Sequence, residues 1–238
     1  MLGSPSSFAA RCSISDGIIL RDGIFSPRMK VRIHPTLVIQ GRWNTAILRP
    51  VWFSRIMPEI SPEQKIPIEF SLDAGSIRFT IDQVKIQPTP LRLDLVVDTE
   101  CGDSSSEKYC KKVINIATKI VEHLPHTPIT AVGHNVAYDL STIESMEYIP
   151  NSEFENFDAT YKGKFAAVSL NTHRVAHGID FSEYLLNLTY EIGRKHSFID
   201  LNYHYIASDL GSINHAIAQF NTNIQASKNT FKDLVRSE

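Results

Sequence analysis

The chain of 238 residues has little cysteine, no proline beyond Pro150 and no long apolar run. Cys12, Cys101 and Cys110 stand at no metal-binding spacing and leave one thiol unpaired under any disulfide scheme. That usage points to a reducing, cytoplasmic setting. No apolar stretch approaches the roughly 20 residues that span a bilayer, so no membrane partner is expected. A glycine-rich phosphate loop, a G-x-S-x-G elbow, H-E-x-x-H, a paired C-x-x-C and a dinucleotide fingerprint are all missing. Their absence lowers the expectation of an enzyme without excluding one, because catalytic residues need not be contiguous. No cofactor is expected.

Two further absences are local. Between Asp22 and Glu59 there is no acid, while Arg28, Lys30, Arg32, Arg42, Arg49 and Arg55 fall inside. Between Lys119 and Lys162 there is no Lys or Arg, while seven Asp and Glu residues do fall inside. The formal net charge of -2 therefore hides a basic front and an acidic back. Nine of the twelve prolines lie before residue 91. The stretch 57–67 reads as an irregular connector, and Pro88-Thr89-Pro90 as a stiff extended link. These shifts suggest three regions: a disordered leader over 1–15, a β-rich region over 16–90 and an α+β sandwich over 91–238. The leader MLGSPSSFAARCSIS is rich in serine and lacks the apolar core of a secretory signal.

Alternation supplies the strands. Ile68, Phe70 and Leu72, then Ile77, Phe79 and Ile81, alternate with polar residues around a turn at Asp73-Ala74-Gly75, which predicts a hairpin. Strands are also expected over 17–25 and 30–40, with Pro35 pushing the second towards a sheet edge. Further strands follow over 91–99, 129–140, 165–175, 183–192 and 197–206. A helical stripe of Tyr109, Val113, Ile116, Ile120 and Leu124 predicts a helix over 104–124, opened by a Ser104–Glu107 capping box and stopped by Pro125. A second stripe, Ile213, Ile217, Phe220, Ile224, Phe231 and Leu234 with Ser227 filling one slot, predicts a long helix over 212–235. From residue 91 the order is β-α-β-β-β-β-α. Strands with one wet face imply a largely antiparallel sheet with both helices on its dry side, in a ferredoxin-like or related arrangement.

Three candidate sites emerge. In FIDLNYHYIASDL (198–210), Asp200, Asn202 and His204 share one face of a strand and Ile199, Leu201, Tyr203 and Tyr205 the other. Carboxylates and an imidazole on adjacent strands can hold a divalent cation that activates water, the route to a metal-dependent hydrolase. An exposed sheet face needs polar residues in any case, and no metal is expected there. His134 lies on a mostly apolar face and reads as a hydrogen-bonded core residue. The most distinctive feature is the basic segment 28–55, where Arg28, Arg32, Arg42, Arg49 and Arg55 interleave with Trp43 and Trp52. Such a segment suits a protein partner or a homo-oligomer interface, and alternatively nucleic acid through phosphate contacts and base stacking. The expectation is a non-enzymatic binding and assembly protein that uses this segment.

Overall fold

Side chains on successive strand residues point to opposite faces, and the register of this chain puts Ile68, Phe79, Ile86, Leu95, Leu37, His134, Tyr203 and Leu186 in one row on the same face. The computed structural model describes residues 30–60, 65–71, 76–97, 107–139, 164–165, 173–192 and 197–236. In chain order these form β1 (Lys30–Gly41), α1 (Pro50–Ile56), β2 (Ile68–Ser71), β3 (Ser76–Ile81), β4 (Val84–Pro88), β5 (Arg92–Val97) and α2 (Glu107–His123). Then come β6 (Ile129–Asp139), the two-residue β7 (Lys164–Phe165), β8 (His173–Asp180), β9 (Leu185–Ile192), β10 (Ser197–Ile206), α3 (Leu210–Ala218) and α4 (Phe220–Arg236). The leader, the expected strand 17–25, Arg28, the turn at 73–75, Asp98, Ser104 and most of the acidic tract lie outside the described residues.

The strands form one antiparallel sheet in the order β2-β3-β4-β5-β1-β6-β10-β9-β8-β7. The two halves have the same wiring. In each, the first strand lies at the middle of the sheet, the fifth lies beside it, and the others step outwards to the edge. A helix follows the fifth strand in both. β1 and β6 meet antiparallel at the seam, with Leu37 opposite His134, Val38 opposite Gly133 and Ile39 opposite Val132. Strands on either side of residue 90 thus share one sheet, and β4 pairs with β5 from Val84–Val97 to Pro88–Leu93. Residues 89–91 form a short turn in which the Thr89 N–H donates to the Arg92 carbonyl, rather than an extended link. Because β1 lies between β5 and β6, the ferredoxin-like arrangement is not confirmed. What stands is an α+β fold with a large antiparallel sheet.

Pro35 does not drive β1 to an edge. It sits where the β1–β6 register shifts between Ile33 and Thr36, a bulge at which the missing N–H leaves no gap in the ladder. At the other end of β1, a Cβ on Gly41 would stand 2.6 Å from the Pro128 carbonyl oxygen, so only glycine admits that approach.

The apolar face carries Leu37, Ile39, Leu93, Leu95, Val132, Val136, Leu201 and Tyr203, all buried. α2 covers it with Cys110, Val113, Ile116, Ala117, Ile120 and Val121. α3 and α4 cover the second half with Ile213, Ile217, Phe220, Ile224 and Phe231. The expected long C-terminal helix is two, separated at Gln219. α3 opens on a capping box: the Ser212 N–H donates to the Asp209 carboxylate at 2.7 Å, and the Asp209 N–H donates to Ser212 Oγ. Ser227, the one polar residue in the stripe, is fully buried and hydrogen-bonds the Tyr138 hydroxyl at 2.6 Å. Two lysines of α2 tie the helix layer to the first half. Lys112 holds Asp82 at 2.7 Å, and Lys119 holds Glu59 at 2.6 Å, keeping the Glu59 carboxyl below the usual range.

Phe220 is wholly enclosed, with its ring edge-on to His134 at 5.2 Å between centroids. Phe220→Ala is expected to cost about 3–5 kcal/mol, the range for an aromatic cavity in a core, measured by urea unfolding. A loss under about 1 kcal/mol, the scale of a surface change, would mean that α4 does not hold the core.

Candidate functional site

The basic segment divides between core and surface. Trp43 is 5% exposed, and its indole N–H donates to the Ile39 carbonyl at 3.1 Å; it is a core residue and not a surface contact. Trp52 is half-buried, edge-on to Phe53 at 5.0 Å. Arg32, on β1, stacks over the Phe198 ring at 3.8 Å. Arg42 is exposed just after β1, Arg49 and Arg55 at the two ends of α1, and Lys65 just before β2. Among the described residues, no carboxylate pairs with any of these last four cations. Proximity in sequence does not make the seven candidate residues one surface: Arg32 belongs to the middle of the sheet and Trp43 to the core, while Arg28 lies outside the described residues.

Beside α1 the apolar face is left open. At about 1.5 Å per residue, a seven-residue helix spans roughly 10 Å, too short to cover β2 and β3. The uncovered region is a groove of about 710 Å³ between α1, β2, β3 and the β4–β5 turn, with Leu48, Val51, Ile68, Ile77 and Pro88 among its lining and Arg49 at its side. Val51, Ile68 and Phe70 are 65%, 61% and 64% exposed, unusual values for apolar side chains gathered at one end of a sheet. The groove escaped the sequence reading because its walls come from four separate elements. The alternation of Ile68, Phe70 and Ile77 was visible, but not that the helix over them would be so short.

The opposite, polar face has a different character. Asp200, Asn202 and His204 lie on it, and Ile199, Leu201, Tyr203 and Tyr205 are buried on the other side. Three asparagines stand on adjacent strands at matching register, Asn135, Asn202 and Asn187. Asn187 Nδ2 donates to Asn202 Oδ1 at 3.1 Å, and Asn202 Nδ2 donates to Asn135 Oδ1. Asp139 of β6 and Asp200 of β10 stand one row apart on this face. Asp94 shares a row with His204, but three strand spacings intervene, roughly 14 Å. Burial raises the Asp94 carboxyl even though Arg92 bonds it. Glu183 lies in the turn before β9 and pairs with His215 of α3 at 3.3 Å. Among the described residues no group of three His, Cys, Asp or Glu side chains is placed to hold a metal ion.

Comparison of the chain with protein-family models, curated proteins and solved structures finds no match. Function must be argued from geometry. Among the described residues, no helix is long and apolar enough to cross a membrane.

His134 is the most perturbed side chain. It is fully buried between the sheet and the C-terminal helices. Asn223 Nδ2 donates to its Nδ1 at 2.9 Å and to the Tyr205 hydroxyl at 2.6 Å. A ring accepting at Nδ1 is neutral and carries its proton on Nε2, which faces α3 without a hydrogen-bond partner. Desolvation pushes the ring down to about 3, because a charged imidazolium cannot be hydrated there. Burial likewise pushes Tyr205 up to about 12.

The unfolded chain binds a proton at this histidine below about 6.5, and the folded chain does not until about 3. The contribution of the neutral His134 ring to stability is therefore fully present above about pH 6.5. His134 alone takes away up to about 1.4 kcal/mol for each unit that pH falls between those limits. The His134→Phe variant is expected to show a flatter dependence of unfolding free energy on pH between 6 and 4. Equal slopes for the two proteins would contradict a neutral buried ring.

Proposed function

We propose that this is a non-enzymatic binding and assembly protein, a subunit that docks another protein chain through the open β2–β3 end of its sheet. One observation carries the reading: Val51 and Ile68 line an apolar groove and Phe70 lies opposite the groove residue Ile77, with each of the three more than 60% exposed on the face that α2, α3 and α4 cover over the middle of the sheet. Exposed apolar surface of this kind is what protein association buries. The polar face offers no competing site among the described residues, where its asparagines are bonded to one another and no three His, Cys, Asp or Glu side chains are placed to hold a metal ion. Hydrolysis with a bound metal needs several ligands within one coordination sphere. Nucleic-acid binding through the unpaired cations is the weaker alternative. Stacking on bases requires exposed ring faces, and Trp43 offers none.

Apolar contact supplies the affinity in this reading, with exposed charges contributing about 0–1 kcal/mol each. The full-length protein is therefore expected to self-associate in sedimentation velocity at micromolar concentration, and to stay associated in about 0.3 M salt, where exposed charges are screened. Phe70→Asp should shift it to monomer without loss of folding, because the side chain is already exposed. Monomeric protein throughout that range, unchanged by the substitution, would count against assembly through this face.

A further inference from the structure

Among the described residues, the helix layer of the first half stops short of β2 and β3, and the charged side chains beside that place that lack an ionic partner are all positive. Among the described residues, the carboxylates of this region are engaged. Glu69 pairs with Arg78 and Lys85, Asp82 with Lys112, and Glu59 with Lys119. Among the described residues, Arg42, Arg49, Arg55 and Lys65 have no such partner. Arg49 lines the groove itself. Arg55 follows Val51 by four residues on α1, and therefore rises from the same side of the helix as a groove-lining side chain. Arg42 immediately precedes Trp43, whose N–H donates to the carbonyl of the groove residue Pro90.

We infer that the groove receives an acidic amphipathic helix from a partner protein. The groove lies on the helix side of the sheet: Ile68 pairs with Phe79, and Phe79 is buried in the core on that face. A helix laid there continues the layer formed by α2, α3 and α4. Strand addition to β2 fits less well. β2 has four residues, and Pro67 just before it lacks an N–H. The bound helix inserts apolar anchors, spaced three and four residues apart, between Val51, Ile68 and Ile77. Aspartate and glutamate on its flanks face Arg49 and Arg55. The inference rests on the β2–β3 end being a docking surface and adds the chemistry of what docks.

The test uses the full-length protein and two labelled synthetic helical peptides with the same leucine and phenylalanine stripe, one flanked by glutamate and one by lysine. Fluorescence anisotropy should show the glutamate peptide binding about tenfold more tightly at low salt, the sum of a few exposed charge pairs. The gap should narrow as salt rises. Arg49→Glu should remove the preference, and Val51→Asp should abolish binding of both peptides. Equal binding of the two, or preference for the lysine peptide, would overturn the acidic partner. Failure of both to bind would also overturn it. If Phe70→Asp still broke self-association in that case, the docking surface would stand with a different occupant. Binding untouched by Val51→Asp would put the peptide site elsewhere and overturn the inference.

Discussion

The antiparallel pairing of β1 with β6 is the contact on which the rest of the molecule depends. It joins two halves of the same wiring into one sheet and makes one apolar face out of two. Leu37 and Ile39 on β1 and Val132 and Val136 on β6 are fully buried, each stabilising by roughly 1.5–3 kcal/mol through removal from water. Neither half could enclose these residues alone, since each would present its innermost strand as an unpaired edge. Bringing the two seam strands together also brings α2 against α3 and α4, so the helix layer is thickest over the middle of the sheet.

That concentration of cover at the centre explains the open end. Antiparallel meanders carry strands outwards from the seam, but the helices that follow β5 and β10 return over it. Among the described residues of the first half, only α1 lies towards the margin. The polar face needs no cover, because side chains such as Asn135, Asn202 and Asn187 satisfy one another in water or at its edge. The apolar face at β2 and β3 has no such remedy. Its exposure follows from strand order and helix length together, and the unpaired arginines beside it give that exposed surface a sign.

Much of the secondary structure was legible in the residues, because alternation and the helical stripe are local properties. Ile199, Leu201, Tyr203 and Tyr205 are buried as their spacing implies, and Ser227 falls where the C-terminal stripe leaves a gap. Other elements carry no strong local signal. α1 begins at Pro50 after Arg49, with no side-chain cap to announce it. The β3–β4 hairpin turns at Asp82 and Gln83, with φ of 46° and 69°. Neither residue is the glycine or asparagine that usually marks such a turn, and Lys112 from α2 helps to hold it, bonding both side chains. Strand order was beyond reach for another reason. β1 pairs with residues far along the chain, and a central strand containing proline looks like an edge until its bulge is seen. The candidate site shared that fate. Its cations were conspicuous in the segment 28–55, but the groove they flank exists only once β2, β3 and α1 are placed together.

Native-state hydrogen exchange followed by residue tests the seam directly. If β1–β6 pairing holds both halves in one cooperative unit, the slowest amides on β1 and β6 will exchange together with those of β5 and β10, through a single global opening. Their free energies of exchange will match the stability measured by denaturant. The contrary result is two separate openings, with residues 30–97 exchanging as a unit of lower stability while β6, β10 and the C-terminal helices stay protected. That outcome would mean that the seam is a contact between independent domains and not the core of one.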